Sequence, residues 1–258
     1  MLRYLQISKS KKYHFQNGDY TMNRPNVLVT GASSGIGLAI CQALLTEQYE
    51  VYGIGRNFSS MPNSSHFHPI TLDLTDIHAL TDTILTLKKE VTFSILINNA
   101  GVGYYGPHEE LSASSIAEMV QVNLTAPLLL TNLLLRDLKQ EQGHIIAISS
   151  VTATKHNNTH GCAYGATKAG VSSFHKSLFE EVRKYGVRVT VIQPDMAKTN
   201  LYRNASFQEC AAEDAHLTPE EIADAVLFAL HARKGMNFSE LTLQPQRNQI
   251  QRKTQKNI

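Results

Sequence analysis

The sequence predicts an α/β fold in which a doubly wound parallel sheet of about seven strands is flanked by helices within one domain. Short apolar runs alternate with longer runs of helical spacing from residue 26 to residue 243. A glycine-rich turn follows the first apolar run, and 258 residues is a suitable length for one large domain. No linker and no internal repeat interrupts the alternation.

Seven short apolar segments are predicted to be strands because turn residues bound them. They are residues 26–29, 50–56, 67–72, 93–97, 143–150, 187–192 and 241–243. Helical spacing predicts helices over residues 38–45, 76–90, 163–184 and 219–232, and residues 112–138 carry two apolar stripes interrupted at Pro127. The last helix has a clear start, with Thr218 as the capping residue, Pro219 in the first turn and Glu221 three residues after the cap.

The overall composition excludes several classes of protein. The chain is 42% apolar and 18% charged, and its formal net charge of +2 does not favour a nucleic-acid partner. No apolar run approaches the length of a transmembrane span, and the first residues have no apolar core of signal-peptide length. We therefore expect a cytoplasmic protein that binds neither nucleic acid nor a membrane.

The cysteine and histidine patterns do not favour a metal site. Cys41, Cys162 and Cys210 are isolated from one another, which fits a reducing compartment without a disulfide framework. His66 and His68 lie in a polar stretch, where a solvated loop is a better interpretation than a metal centre. We expect no bound metal.

Both ends of the chain are polar and lack periodicity. Residues 1–24 are predicted to be a disordered extension, and Met22 offers an alternative start just before the first strand. Residues 25–245 form the predicted domain, and residues 246–258 are predicted to be a flexible basic tail.

The glycine turn Gly31-Ala32-Ser33-Ser34-Gly35-Ile36-Gly37 lies between the first strand and the first helix. A strand, a glycine turn and a helix in this order form the usual dinucleotide-phosphate site of a Rossmann-like fold, although an isolated glycine turn is equally compatible with a simple bend. Gly31 allows the tight turn, Gly35 allows close approach of a pyrophosphate, and Gly37 lets the helix pack on the sheet. The helix N-terminus attracts the anion.

The end of the second predicted strand indicates which nicotinamide cofactor is used. An acidic residue at this position accepts hydrogen bonds from a ribose hydroxyl, whereas this chain has Gly55 followed by Arg56. A guanidinium pairs with a phosphate through two hydrogen bonds and stacks on adenine. The pattern therefore favours NADP(H); the alternative is that Arg56 is an ordinary surface arginine.

Tyr164 and Lys168 have the spacing that places two side chains on one face of a helix. A nearby ammonium group favours the phenolate, so we expect Lys168 to lower the pKa of Tyr164 and make it a general acid or base. Ser150 ends the fifth predicted strand, whose carboxyl end faces the same crevice. Its hydroxyl is suitably placed to bond a reacting oxygen.

Together these patterns resemble the short-chain dehydrogenase/reductase family over residues 26–243. The resemblance is carried by the turn from Thr30 to Gly37, by Asn98-Asn99-Ala100-Gly101, by Asn123 and Ser150, and by Tyr164 with Lys168. It implies an oxidoreductase that transfers a hydride between NADP(H) and a small carbonyl or secondary alcohol. It also implies a homodimer or homotetramer.

The resemblance further implies a catalytic tetrad of Asn123, Ser150, Tyr164 and Lys168. Tyr164 acts as the general acid or base, Ser150 polarises the substrate oxygen, Lys168 binds the nicotinamide ribose, and Asn123 holds a water. The implied cofactor residues are Gly31, Ser33, Ser34, Gly35, Ile36, Gly37, Arg56, Asp73, Leu74, Asn99, Ala100, Gly101, Tyr164, Lys168, Pro194 and Thr199.

Two departures from the family pattern affect the site. The family usually has glycine after the proline that ends the sixth strand, and this chain has Asp195 after Pro194. The interval from Ser150 to Tyr164 is also one residue longer than usual, which leaves Ser149 as an alternative for the serine role.

The substrate is less well determined than the reaction. The start of the last helix and the residues around Tyr164 are similar to the branch that oxidises serine and related 3-hydroxy acids. Tyr104, Tyr105, His156 and His160 are candidates for the pocket wall, although each also fits a position on a loop or rim. The alternative function is a non-catalytic NADP(H)-binding regulator or scaffold, which is expected to lack Tyr164 or Lys168.

Overall fold

Seven parallel strands form the central sheet in a computed structural model that describes residues 24–61, 63–155 and 158–253. They are β1 (Asn26–Thr30), β2 (Glu50–Gly55), β3 (Phe67–Thr71), β4 (Ile95–Asn98), β5 (His144–Ile148), β6 (Arg188–Pro194) and β8 (Glu240–Leu243). Their order across the sheet is β3-β2-β1-β4-β5-β6-β8, and every neighbouring pair is parallel. The predicted doubly wound sheet is confirmed.

Helices cover both faces of the sheet and bury its alternating side chains. On one face, α1 (Gly35–Thr46) and α6 (Pro219–Leu230) pack over Val27 and Val29. On the other face, α2 (Ile77–Leu87), α4 (Ala126–Gln140) and α5 (Cys162–Val182) pack over Leu28. Successive residues of a strand point to opposite faces, so β1 contributes to both cores.

The direction of sheet growth reverses between β1 and β4. The chain adds β2 and β3 on one side of β1 and then crosses to build β4, β5 and β6 on the other side. Ligands of open α/β sheets bind outside the carboxyl ends of the strands at such a reversal. The topology therefore places the glycine turn after β1 and the residues after β4 and β5 at one crevice.

The sequence prediction misplaced the interruption between the two apolar stripes. Helix α3 (Ala113–Val120) continues through a π-helical turn (Gln121–Thr125) into α4, and Pro127 lies in the first turn of α4. The backbone hydrogen bonds change to the wider π-helical pattern just before Pro127, which itself has no N–H donor.

Residues 113–140 consequently form one helical segment of 28 residues. By length and composition alone this segment is long and apolar enough to cross a membrane. It contains no uninterrupted apolar run of that length, because Asn123, Thr125, Thr131 and Asn132 lie among its apolar residues. In this fold Leu130, Leu134 and Leu138 of the segment are buried in the core, as in the core helix of a globular domain.

Two short strands were not predicted. β7 (Phe207–Glu209) and β9 (Ile250–Arg252) pair antiparallel in a separate two-stranded sheet, with Phe207 opposite Arg252. Each strand has only three residues, which is too short for a periodic pattern to be visible in the sequence. The predicted extension over residues 1–24, apart from Arg24, and the last five residues lie outside the described residues.

The histidine pair is only partly in a loop, because His66 lies in the turn before β3 and the two side chains are 40% and 41% exposed. His68 lies in β3, and both rings bond the carboxylate of Glu50, at 2.7 Å for His66 Nδ1 and 3.0 Å for His68 Nε2. The adjacent strands β2 and β3 bring these residues together. Within the described ranges, no group of three or more histidine, cysteine or acidic residues has the arrangement of a metal site.

Candidate active site

The glycine turn adopts the backbone that its composition predicts. Gly31 and Gly35 have φ angles of +66° and +52°, in the left-handed region that favours glycine. A Cβ atom on Gly37 would lie 2.0 Å from the carbonyl oxygen of Gly31, so only glycine fits where α1 meets the turn. The first helical N–H groups therefore face the crevice.

The residues after β4 fasten this turn in place. Thr30 Oγ1 accepts hydrogen bonds from the backbone N–H groups of Asn99 and Ala100, both at 3.0 Å. Asn99 Nδ2 donates in return to the carbonyl oxygen of Thr30 at 2.9 Å. These bonds join the ends of β1 and β4 on either side of the crevice and hold its floor rigid.

A single groove runs along the carboxyl ends of the strands. Every residue predicted to contact the cofactor lines it, from the glycine turn through Asp73 and Asn99 to Thr199. The groove is also lined by Glu118, Tyr202 and Arg203, which were not predicted. No sequence pattern marks these three residues, because they reach the groove from helix α3 and from the irregular segment after β6.

One end of the groove carries Arg56 and Asp73. Hydrogen bonds from the backbone and side chain of Thr75 lower the pKa of Asp73, and the positive charge of Arg56 acts in the same direction. Arg56 is exposed at the end of β2, so its guanidinium is free to meet a ligand. This end of the groove thus offers one cation and one carboxylate.

The other end of the groove brings Ser150, Tyr164 and Lys168 together. The hydroxyl of Ser150 is hydrogen-bonded to Tyr164, and Lys168 Nζ lies 5.8 Å from the centre of the Tyr164 ring. Ser149, the alternative serine, instead donates to the carbonyl oxygen of Lys168 at 3.0 Å within the core. The structure therefore places Ser150, and not Ser149, beside the tyrosine.

The predicted direction of the Tyr164 pKa is wrong for this structure. Burial raises the pKa of Tyr164 to about 12, and the hydrogen bonds from Ser150 and Tyr105 only partly oppose this. Burial also lowers the pKa of Lys168 to about 8, and its Nζ donates to the carbonyl oxygen of Ile148 at 2.9 Å. The sequence spacing places the two groups correctly but does not reveal how deeply both are buried.

Asn123 lies in the π-helical turn and is fully buried. Its Oδ1 accepts from the N–H of Val102 at 2.8 Å, and its Nδ2 donates to the Val102 carbonyl at 2.9 Å and to Thr167 Oγ1 at 3.1 Å. The side chain thereby joins the loop after β4 to helix α5. Such π-helical turns are frequent at functional sites.

A second cavity adjoins the groove where Ser150, Tyr164, Asp195 and Tyr202 lie, and these residues line both. Asp195 Oδ1 accepts from the N–H of Met196 at 2.9 Å, and Oδ2 lies 3.6 Å from Lys155 Nζ and accepts from Gln244 at 3.3 Å. A carboxylate and an ammonium group therefore stand side by side in this cavity, which we call the substrate cavity.

The four candidates for the pocket wall have different outcomes. Tyr105 and His160 line the substrate cavity. Tyr104 instead donates to Glu118 Oε2 at 2.6 Å, and His156 lies outside the described residues. Cys162 is exposed on the surface near His108.

Comparison with known proteins identifies the family. The short chain dehydrogenase profile matches residues 25–209. The chain is a member of the short-chain dehydrogenase/reductase family. It is therefore an oxidoreductase, and the groove is suited to a nicotinamide cofactor. The members of this family act on CH–OH groups.

Several curated relatives match almost over their whole length. Serine 3-dehydrogenase of Rhizobium radiobacter is 32% identical over 233 residues, which cover 85% of this chain and 93% of the relative. The 3-oxoacyl-[acyl-carrier-protein] reductase FabG of Buchnera aphidicola is 30% identical, with coverages of 86% and 96%.

Solved structures show the same fold. A serine dehydrogenase complexed with NADP+ superposes with a TM-score of 0.74 at 25% identity, covering 85% of this chain and 94% of that one. A 4-hydroxyisoleucine dehydrogenase complexed with NADH and succinate has a TM-score of 0.75 at 22% identity, with coverages of 85% and 97%. Structures of this fold thus contain either nicotinamide cofactor.

Proposed function

We propose that this family member is an NADP(H)-dependent oxidoreductase that interconverts a small hydroxy acid and the corresponding carbonyl compound. One observation carries the proposal: the hydroxyls of Ser150 and Tyr164 meet beside Lys168, where the groove opens into the substrate cavity. A carbonyl oxygen placed there would have the hydroxyl groups of Ser150 and Tyr164 within reach, and a nicotinamide cofactor held in the groove would supply the hydride.

The reaction needs one proton and one hydride. NADP(H), when bound, supplies or accepts the hydride. In the reductive direction Tyr164 donates its phenolic proton to the substrate oxygen, and Ser150 donates a hydrogen bond that polarises the carbonyl. The positive charge of Lys168 stabilises the phenolate that remains, and in the oxidative direction the same phenolate accepts the alcohol proton. We assign Asn123 the role of fixing the loop from Asn99 to Val102 beside α5.

Arg56 supports the preference for NADP(H). Its guanidinium stands at the end of β2, where a 2′-phosphate would find a bidentate partner and where Gly55 takes the place of the acidic residue that binds a ribose hydroxyl. Thr75 holds the carboxylate of Asp73 through two hydrogen bonds of 2.9 Å, which leaves the cation available.

The cofactor preference is tested by titrating NADPH and NADH and following nicotinamide fluorescence. We expect Arg56→Ala to weaken NADPH binding about tenfold and to leave NADH binding within about twofold, since one charge-assisted phosphate contact is lost. Arg233→Ala, on the exposed loop after α6, is the matched control. Equal weakening of both cofactors contradicts a phosphate role for Arg56.

The substrate cavity supports a small hydroxy acid. Lys155 offers an ammonium group to a substrate carboxylate, and Asp195 offers a carboxylate to a substrate amino group. The similarity to serine 3-dehydrogenase of Rhizobium radiobacter supports the same class. Turnover of L-serine and 3-hydroxypropionate with NADP, compared with neutral alcohols, aldehydes and ketones, tests this proposal. If only neutral compounds are turned over, the hydroxy-acid substrate class is contradicted, but the assignment as an oxidoreductase still holds.

We also propose a cytoplasmic homodimer or homotetramer that associates through the helices over residues 112–138 and 163–184. The family resemblance supports this assembly. Light scattering of the purified protein at two concentrations gives the mass of the particle, and a monomer at both concentrations contradicts the proposal.

A further inference from the structure

The wall of the substrate cavity beside Tyr164 consists of packed aromatic rings. Tyr105 lies with its ring centre 5.4 Å from that of Tyr164, 5.7 Å from that of Tyr202 and 5.3 Å from that of Phe207. Tyr202 and Phe207 are themselves 5.5 Å apart. We call residues 200–209, which contribute Tyr202 and Phe207, the aromatic lid.

The aromatic lid has little regular structure of its own. It consists of a 3-10 turn (Asn200–Tyr202), an irregular connection and the three-residue strand β7. Such a segment holds one position only when other parts of the chain fix its backbone.

Residues 245–253 supply those contacts, and we call them the C-terminal strap. Strand β9 of the strap pairs with β7 of the lid. The backbone N–H of Lys253 donates to the carbonyl oxygen of Ser206 at 2.9 Å. Near the start of the strap, the backbone N–H of Arg247 donates to the carbonyl oxygen of Asp214 at 2.8 Å. The side chains of the same two residues form an ion pair.

The side chain of Lys253 makes the most specific of these contacts. Its Nζ donates to the carbonyl oxygens of Tyr202, at 2.6 Å, and of Arg203, at 3.1 Å. The carbonyl oxygen of Tyr202 also accepts from the backbone N–H of Ala205 at 3.0 Å, so the ammonium group adds a charged donor at the carboxyl end of this helical turn, where a cation is favourable. The side chain of Lys253 thus fixes Tyr202, which carries one ring of the lid. Its backbone N–H fixes Ser206, the residue before Phe207.

We propose that the C-terminal strap positions the aromatic lid against Tyr105 and Tyr164, and that Lys253 is the positioning residue through which the strap sets substrate affinity. This role rests on the proposed function of the cavity. Strap residues line the substrate cavity and none of them lines the groove, so we expect the main effect of the strap on substrate binding. Tyr202 and Arg203 of the lid also line the groove, so NADPH affinity is measured alongside.

Lys253→Met tests the proposal because it keeps the length of the side chain and removes the ammonium group. We expect the KM for the substrate to rise about tenfold, the size of one lost hydrogen bond from a charged group, with the NADPH Kd within about twofold of the wild-type value. Lys253→Arg, which still donates to carbonyl groups, is expected to restore most of the affinity. Lys234→Met, exposed on the loop between α6 and β8, is the matched control.

Limited proteolysis with chymotrypsin provides a readout that does not need turnover. Tyr202 and Phe207 are cleavage sites within the lid, and we expect Lys253→Met to accelerate cleavage there while cleavage elsewhere stays unchanged. An unchanged lid cleavage rate together with an unchanged KM overturns the proposal. If the wild-type protein turns over no hydroxy acid or carbonyl compound, the proposed function fails, and the cleavage rates still decide whether the strap holds the lid.

Discussion

The nucleotide groove and the substrate cavity share Ser150, Tyr164, Asp195 and Tyr202 but are built in different ways. The groove uses the ends of adjacent parallel strands, and its floor is fixed by bonds between Thr30, Asn99 and Ala100. The cavity uses the loop after β5, the segment after β6 and the C-terminal strap. The groove is therefore specified by the topology of the sheet, whereas the cavity depends on side chains that join irregular segments. The predictions below separate the two.

The largest effect on activity is expected from Tyr164→Phe, which changes a residue that lines both the groove and the cavity. Loss of the phenolic proton removes the general acid, so kcat is expected to fall by at least about a thousandfold. NADPH affinity should stay within about threefold, because the ring and its packing remain. Fluorescence titration and steady-state kinetics measure the two quantities separately. Unchanged turnover in the variant contradicts the catalytic role of Tyr164. A wild-type protein that binds NADPH but turns over no substrate supports the alternative of a non-catalytic scaffold.

Gly37→Ala tests the groove alone. The new Cβ would collide with the carbonyl oxygen of Gly31 at 2.0 Å, so α1 has to move away from the turn. We expect the free energy of unfolding to fall by about 1–3 kcal/mol and NADPH binding to be lost.

Gly170→Ala in the middle of α5 is the control for this substitution. A Cβ there meets only the flexible side chain of Leu124, at 3.2 Å, and alanine favours the helix by up to about 1 kcal/mol. The change in the free energy of unfolding, measured by denaturant melts, should therefore have opposite signs in the two variants, and NADPH binding should be lost only in Gly37→Ala. Normal NADPH binding by Gly37→Ala contradicts the assignment of the turn.

Asp195→Gly tests the charge that the cavity offers to a substrate, at a residue that lines both regions, and introduces the residue that the family usually has there. The substitution removes the acceptor for Met196, Gln244 and Lys155. We expect KM for an amino-acid substrate such as L-serine to rise about fivefold relative to 3-hydroxypropionate, since one ionic contact to the amino group is lost. NADPH affinity should not change. An equal effect on both substrates shows that Asp195 only shapes the loop.

The smallest effect concerns pH and the packing beneath the groove. His175 is fully buried, its Nδ1 bonds the carbonyl oxygen of Val171 at 2.7 Å, and burial lowers its pKa to about 4. The unfolded chain therefore binds more protons than the folded chain between the ordinary histidine pKa of 6.5 and about 4. Stability is expected to decrease as the pH falls through this interval.

Urea denaturation at pH 7 and pH 5 measures this decrease. We expect His175→Gln to reduce the difference between the two pH values by about 1–2 kcal/mol. The buried His144, whose pKa burial also lowers, retains part of the dependence. His78→Gln, on the exposed side of α2, serves as the control and should leave the difference unchanged. A difference that persists in full after His175→Gln assigns the pH dependence to other groups.

The sequence by itself determined the sheet, the glycine turn and the order of the site residues. Strand and helix periodicity, glycine spacing and the capping box at Thr218 are local patterns, and the structure shows all three. The residues predicted to meet the cofactor line one groove because parallel strands present their carboxyl ends at the same edge.

Only the tertiary structure decided how the tyrosine is solvated and what closes the cavity. Burial of Tyr164 and Lys168 depends on every element packed around α5, so the spacing of the two residues predicted their proximity but the wrong direction for the tyrosine pKa. The pairing of β7 with β9 joins two three-residue segments that carry no periodic signal. Contacts of this kind form between segments distant in the chain, and no local pattern encodes them.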